Sequence, residues 1–178
     1  MNFNDSEKRE LLAFARRVLE KIVKEGDKLE EECLDSHFMQ TAGVYVFLYQ
    51  NNETVGFAGY VIPTVSIWDA IAENVISAGT HNLGKSDILP EDLAGIKIEI
   101  AILSVPKECS FEEIEENKDG VIVEQGRYKA TFPPQFWKEF PAKEEFLTNL
   151  CEKAKIEPDA WKNFSTKLYK YGAIIFNE

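Results

Sequence analysis

The stretch "GVYVFLYQNNETVGFAGYVIP", residues 43–63, decides the fold. Its first seven residues are β-branched, aromatic or apolar with no polar face, the pattern of a strand buried on both sides. "QNNE" is a turn, because asparagine tolerates positive φ. "TVGFAGYVI" is then the returning strand of a hairpin, and Pro63, which has no N–H to give, ends it. Gly56 and Gly59 lie inside that second strand. Their GxxG spacing alone favours a bulge or a close backbone crossing over a backbone opened toward a ligand.

Upstream, residues 5–24 read as a helix, with Leu11, Ala15, Val18 and Ile22 at helical spacing. Asn4 and Glu7 have the spacing of a capping box, and Gly26 suits the stop. The connector "DKLEEECLDSHFMQ", 27–40, reads as solvated, and so does the pair Arg16-Arg17.

Downstream, Ser66 and Asp69 open a second helix carrying Ile67, Ile71, Val75 and Ala78, with Gly79 at its end. "THNLGKSDILPEDL" is loop or a short turn. "GIKIEIAILS", 95–104, is a strand with Ile96, Ile98, Ile100 and Ile102 on one face and Lys97 and Glu99 on the other. "KECSFEEIEENK" is irregular or one helical turn. "DGVIVEQGRYKATF" is a second hairpin turning at Gln125-Gly126, and Pro133-Pro134 stop its pairing. A helix over 143–155, a short one at "EPDAW" and a final strand "KLYKYGAIIFNE" complete the chain. Hairpins dominate and βαβ alternation is absent, so the expected class is α+β, a mostly antiparallel sheet with flanking helices.

At 178 residues the chain has room for one substantial core, or for one core with a small satellite lobe, so one domain over 1–178 is expected. With 44% hydrophobic residues it is globular rather than disordered. Its net charge of −11 repels phosphate backbones, which argues against nucleic acid as a partner. No apolar run is long enough for a membrane helix, and the polar N-terminus lacks a signal-peptide core. A cytoplasmic protein without a membrane partner is expected.

Three widely spaced cysteines, Cys33, Cys109 and Cys151, argue against a disulfide framework, and two histidines, His37 and His81, are too few for a zinc site. There is no P-loop or GxGxxG, so no cofactor is expected. Cys151 lies on or near an apolar helical stripe, as a small hydrophobe does, and carboxylates beside Cys109 blunt its reactivity. The acidic stretch "FEEIEENKD" lacks the alternating oxygens and glycine of a calcium loop. "GRYKATFPPQFW" offers more: Arg127 is an anion-binding fork and Gln135 both donates and accepts. Phe132, Phe136 and Trp137 either mark a recognition surface or fill core beneath the proline turn.

These motifs, in this order, resemble the AMMECR-type domain family over nearly the whole chain. "AGVYVFLYQNNETVGFAGYVIP" is similar to the family's Gly-Val-Phe-Val-Thr-Leu strand followed by Leu-Arg-Gly-Cys-Ile-Gly. "IKIEIAILSVPKE" resembles its Ile-Glu-Ile-Ser-Val-Leu strand, "DGVIVEQGRYKATFPPQFW" its segment leading into Leu-Pro-Gln-Val, and "EEFLTNLCEKAKI" its Phe-Leu-x-x-Leu-Cys helix. Gly56, Gly59, Pro134 and Gln135 match. Val55 stands where the motif has arginine, Phe57 where it has cysteine, and Pro133 where it has leucine. "SAGTHNLGKSDILPEDL" lacks the family's Asp-Pro-Arg-Phe element. The resemblance implies an α+β fold with an antiparallel sheet, no settled reaction, and association with the Memo-type and radical-SAM proteins that often accompany the family in prokaryotic genomes.

Loss of the motif's arginine and cysteine, with no nucleophile–base pair in view, favours a non-catalytic binding or accessory protein, monomeric or homo-oligomeric. Its candidate ligand or partner surface comprises Glu53, Gly56, Gly59, Tyr60, Arg127, Pro134 and Gln135. The alternative is an enzyme for a small or peptide-like substrate, with Arg127 on an anionic group, Gln135 and amides near Gly56 polarising, and Glu53 as base. It requires Arg127, Gln135 and Gly59 to border one concave site.

Overall fold

A computed structural model describes residues 1–80 and 88–178. The class is α+β, with antiparallel strand pairing and flanking helices. The chain divides into two compact units, residues 1–103 with 174–178, and residues 104–173.

The first unit is built on the opening hairpin. β1 (Gly43–Gln50) pairs antiparallel with β2 (Glu53–Tyr60) on one side and with β3 (Ile96–Leu103) on the other. β8 (Ala173–Asn177) completes the order β2-β1-β3-β8. Alternation sends Val44, Val46 and Leu48 to one face, opposite Ile102, Ile100 and Ile98 in register. That face packs with α1 (Asp5–Glu25) and α2 (Ile67–Thr80) in one core. Phe14 of α1 stacks on Trp68 of α2, ring centroids 3.6 Å apart. The buried indole N–H finds the Glu31 carbonyl at 3.1 Å, and the buried Asn74 amide finds the Val44 carbonyl at 3.3 Å.

Local rules set the ends of α1 and α2. Asn4 Oδ1 accepts from Ser6 N and Glu7 N, and the Glu7 carboxylate returns the bond to Asn4 N at 2.7 Å, so the expected capping box is present. α1 is followed by Gly26 in the left-handed region, φ +70°. Ser66 Oγ accepts from Asp69 N at 3.1 Å at the start of α2. The two-residue hairpin turn places Asn51 at φ +53° and Asn52 at φ +66°, the pair of positive values that a type I′ turn requires.

The second unit has the sheet order β4-β7-β5-β6. It contains β4 (Lys107–Cys109), β5 (Gly120–Gln125), β6 (Tyr128–Phe132) and β7 (Lys167–Tyr171). α3 (Lys143–Lys153) supplies Phe146, Leu147 and Leu150 to a core with Val121, Val123, Phe132, Trp137 and Leu168. Trp137 stacks on Phe146 at 3.9 Å and donates its indole N–H to the Asp119 carbonyl at 2.7 Å.

Several expectations are corrected. The final run is two strands, not one. The Gly172 N–H and carbonyl bond Ser104, at 2.9 Å each, between β7 in one sheet and β8 in the other. "KECSFEEIEENK" contributes β4, and "EPDAW" runs into a single 3-10 turn at Ala160–Lys162 rather than an α-helix. Another 3-10 turn spans Pro90–Gly95. On the β3 face opposite the isoleucines, Glu99 is only 7% exposed, and Ala101 and Leu103 are buried too, whereas Lys97 is exposed. Arg16 is not a solvated charge either. It donates to the Leu93 and Ile96 carbonyls at 3.0 and 2.6 Å and pairs with Glu178, while Arg17 pairs with Glu31 at 2.5 Å. His81 and the centre of the segment 77–93 lie outside the described residues.

The exposed Asn52 isolates the backbone requirement from packing. Replacing it with valine should lower stability by about 1–2 kcal/mol, because a β-branched residue resists the left-handed region. Asn52→Gly should retain wild-type stability. Urea unfolding checks both, and an unchanged midpoint for the valine variant would contradict this account of the turn.

Candidate functional site

The candidate residues fall in the two units and are described unit by unit. In the first, the β1–β2 register shifts between Leu48 and Tyr49: Tyr49 faces Thr54 and Leu48 faces Gly56, so Val55 is the extra residue of a β-bulge. The bulge lets Val55 pack on the first core together with Ala58 and Tyr60. Phe57 points to the other face and stacks on Phe47 at 5.5 Å. The two positions where the family motif has arginine and cysteine therefore hold apolar side chains against apolar neighbours.

Gly59 lies directly opposite Tyr45. A Cβ on Gly59 would come within 2.3 Å of the Tyr45 ring and 2.6 Å of the Val44 carbonyl oxygen. The glycine is needed as the seat of that ring. Gly120 and Tyr171, also direct partners, repeat the device in the second unit, where a Cβ on Gly120 would come within 2.3 Å of the ring. Burial pushes the Tyr45 phenol up to about 12. Tyr49 rises further through burial and the nearby Glu99 carboxylate, to which its hydroxyl donates at 3.5 Å. Tyr60 is half-buried and donates to Glu73 at 3.4 Å, and burial raises its phenol as well. Glu53 is exposed where β2 begins, opposite Gln50 across the asparagine turn.

In the second unit, Gly126 at φ +61° and Arg127 turn the β5–β6 hairpin between Gln125 and Tyr128. The Arg127 guanidinium lies 5.1 Å from the centre of the Tyr128 ring and donates to the Tyr128 hydroxyl at 3.0 Å. Pro134 is buried at the start of the 3-10 turn Pro134–Lys138, followed by the half-buried Gln135. Phe132 and Trp137 are 5% and 2% exposed, so these two rings fill core rather than a recognition surface. Phe136 is half-buried and stacks on Phe132 at 4.5 Å. Lys153, a residue the sequence did not single out, places its ammonium over both rings at 4.7 and 5.4 Å and donates to the Thr131 carbonyl at 2.9 Å. Burial beside these rings lowers its pKa. No motif marks such a lysine, because the rings it covers come from other segments.

All three thiols are raised above their ordinary value, each chiefly by burial. At Cys109 the Glu113 carboxylate adds to the effect. His37 is committed elsewhere: its Nδ1 lies 2.7 Å from the Glu7 carboxylate and its ring stacks on Phe3 at 4.6 Å. The His37 hydrogen bond, with that from Asn4 N, holds Glu7 below the usual carboxylate range. Among the described residues no group of three or more His, Cys, Asp and Glu side chains is placed to hold a metal ion. The acidic connector forms one wall of a cleft of about 580 Å³, lined by Glu10, Glu31, Glu32, Cys33, Asp35 and Trp68 among others. Its charge run alone gave no sign of concavity, which comes from the packing of 31–36 beside Trp68.

A family model described as AMMECR1 matches residues 12–176. A protein of Methanocella arvoryzae is 35% identical, the match covering 92% of this chain and 87% of that one. A protein of Methanothermobacter thermautotrophicus is 33% identical, with 97% and 94% covered. The crystal structure of an uncharacterised protein, PH0010, from Pyrococcus horikoshii superposes with a TM-score of 0.91 at 28% identity, covering 99% of this chain and 93% of that one.

Raised thiols predict slow alkylation. The iodoacetamide rate at each cysteine should still be climbing with pH above the ordinary thiol range of about 8.5, because the thiolate fraction is smaller at every lower pH. A cysteine whose rate levels off below neutral pH would contradict the raised thiols.

Proposed function

The chain belongs to the AMMECR1 family, and on that footing we propose that it is a non-catalytic binding or accessory protein acting with Memo-type and radical-SAM proteins in the cytoplasm. One observation carries this reading. The two side chains of the glycine motif best suited to chemistry are replaced by Val55 and Phe57, and both are used in packing. The retained Gly59 is accounted for by the Tyr45 ring, without a ligand. Burial keeps the thiols protonated, which removes the obvious nucleophiles. The net charge of −11 supports a protein partner over nucleic acid. Among the described residues no helix is long and apolar enough to cross a membrane.

The test is reconstitution. The purified chain, mixed with the Memo-type and the radical-SAM protein encoded in the same genome, should co-elute with one of them on size exclusion at low and moderate salt. Separate elution from both, together with turnover of a small or peptide-like substrate by the chain alone, would replace this reading with the enzyme alternative.

A further inference from the structure

One end of the second unit's sheet carries an arginine and a fully exposed aromatic ring on adjacent turns. Glu124 of β5 pairs with Lys167 of β7, so the Gly126-Arg127 turn lies beside the turn 163–166 that enters β7. The Gln125 amide ties the two, donating to Ser165 Oγ at 3.2 Å and Thr166 Oγ1 at 2.9 Å. The second turn is closed by Thr166 N–H to the Asn163 carbonyl at 3.0 Å. Its second residue is Phe164, whose relative exposure of 109% means that nothing in the fold covers it.

Turn chemistry does not call for phenylalanine at that position, where proline and small polar residues serve. A ring left wholly in water adds nothing to the core. Tyr128, 39% exposed, lies at the neighbouring hairpin tip. Three nearby lysines are matched by carboxylates within the unit, Lys129 with Glu124 at 2.8 Å, Lys167 with Glu108 at 3.4 Å and Lys170 with Asp119 at 3.4 Å, while Lys162 lies over the Trp161 ring. Among the described residues Arg127 has no such carboxylate. One of its Nη atoms is held by the Tyr128 hydroxyl, and the rest of the fork remains to donate.

We propose that this end of the second unit is a docking surface for a short acidic segment of a partner protein. Arg127 takes a carboxylate, and Phe164 with Tyr128 takes an apolar side chain next to it. Arginine and tyrosine are the residue types that dominate binding energy at protein interfaces, and the turn–hairpin hydrogen bonds hold them in place before binding. Charge selects the occupant. The repulsion from a chain at −11 grows with the charge the ligand carries, so it disfavours extended polyanions such as nucleic acid or an anionic bilayer far more than a short acidic segment, which meets Arg127 within one screening length. The proposal rests on the binding-protein reading and gives it a surface and a partner chemistry.

Fluorescence anisotropy with a short labelled peptide of alternating glutamate and leucine tests it on the full chain. Saturable binding is expected, weakened at least about tenfold by Arg127→Glu and by Phe164→Ser. Lys28→Glu, the same charge change at an exposed site in the first unit, should leave binding intact, and a lysine–leucine peptide should not bind. Both variants alter exposed side chains, so their melting points should stay near that of the wild type. No saturable binding, equal binding by both variants, or binding only to anionic vesicles would overturn the proposal. A Memo-type or radical-SAM partner retained equally by wild type and both variants would remove this surface while leaving the accessory reading in place. Failure of even the wild type to retain either would count against that reading itself.

Discussion

The Tyr45 ring lying over Gly59 is the contact on which the first unit's hairpin depends. It requires that the two residues face each other, and that pairing places Val44, Val46 and Leu48 toward the helices. A slip of one residue would turn that set away from the core, so the register is strongly specified. The bulge at Val55 takes up the odd residue between the asparagine turn and the ring, and returns an apolar side chain to the core. Gly120 under Tyr171 repeats the device in the second unit. Two sheets thus each hold a tyrosine flat against a cross-strand glycine.

Around these pairs three buried side-chain donors are matched. Trp68, Asn74 and Trp137 each donate to a main-chain carbonyl. Arg16 joins α1 to the carbonyls around the start of β3 and to Glu178, whose carboxylate also accepts from Ile98 N at 3.1 Å. The last residue of the described chain is therefore part of the first unit's closure. Cys151 lies buried as a small apolar group, and His37, the histidine among the described residues, makes a hydrogen bond to Glu7 and a ring stack with Phe3.

Local structure was legible in the sequence wherever a short-range rule applied. The Asn51-Asn52 turn, the Asn4–Glu7 box, the apolar faces of α1 and α2 and the Gly126 hairpin all follow from residues within a few positions of one another. What stayed hidden depends on partners distant in sequence. Nothing local marks Gly172 as the point where one apolar run changes sheets, because the cause is its pairing with Ser104, 68 residues away. Arg16 reads as solvated until Leu93, Ile96 and Glu178 are folded against it. The burial of Glu99 is not visible in the strand's alternation, because an alternating strand normally leaves one face in water and here Glu99, Ala101 and Leu103 on that face are buried. Gly59 was rightly suspected of a close crossing, but only the register identifies the ring that it accommodates.

A double-mutant cycle on Gly59→Ala and Tyr45→Ala, read by urea unfolding, tests this account most directly. Gly59→Ala alone should destabilise the protein by about 1–3 kcal/mol, since the new methyl must displace a packed ring. With the ring already removed its effect should shrink, leaving part of the strain against the Val44 carbonyl and a coupling of at least about 1 kcal/mol. Additivity within about 0.5 kcal/mol would contradict the account and return the glycine to the role of a ligand-facing backbone.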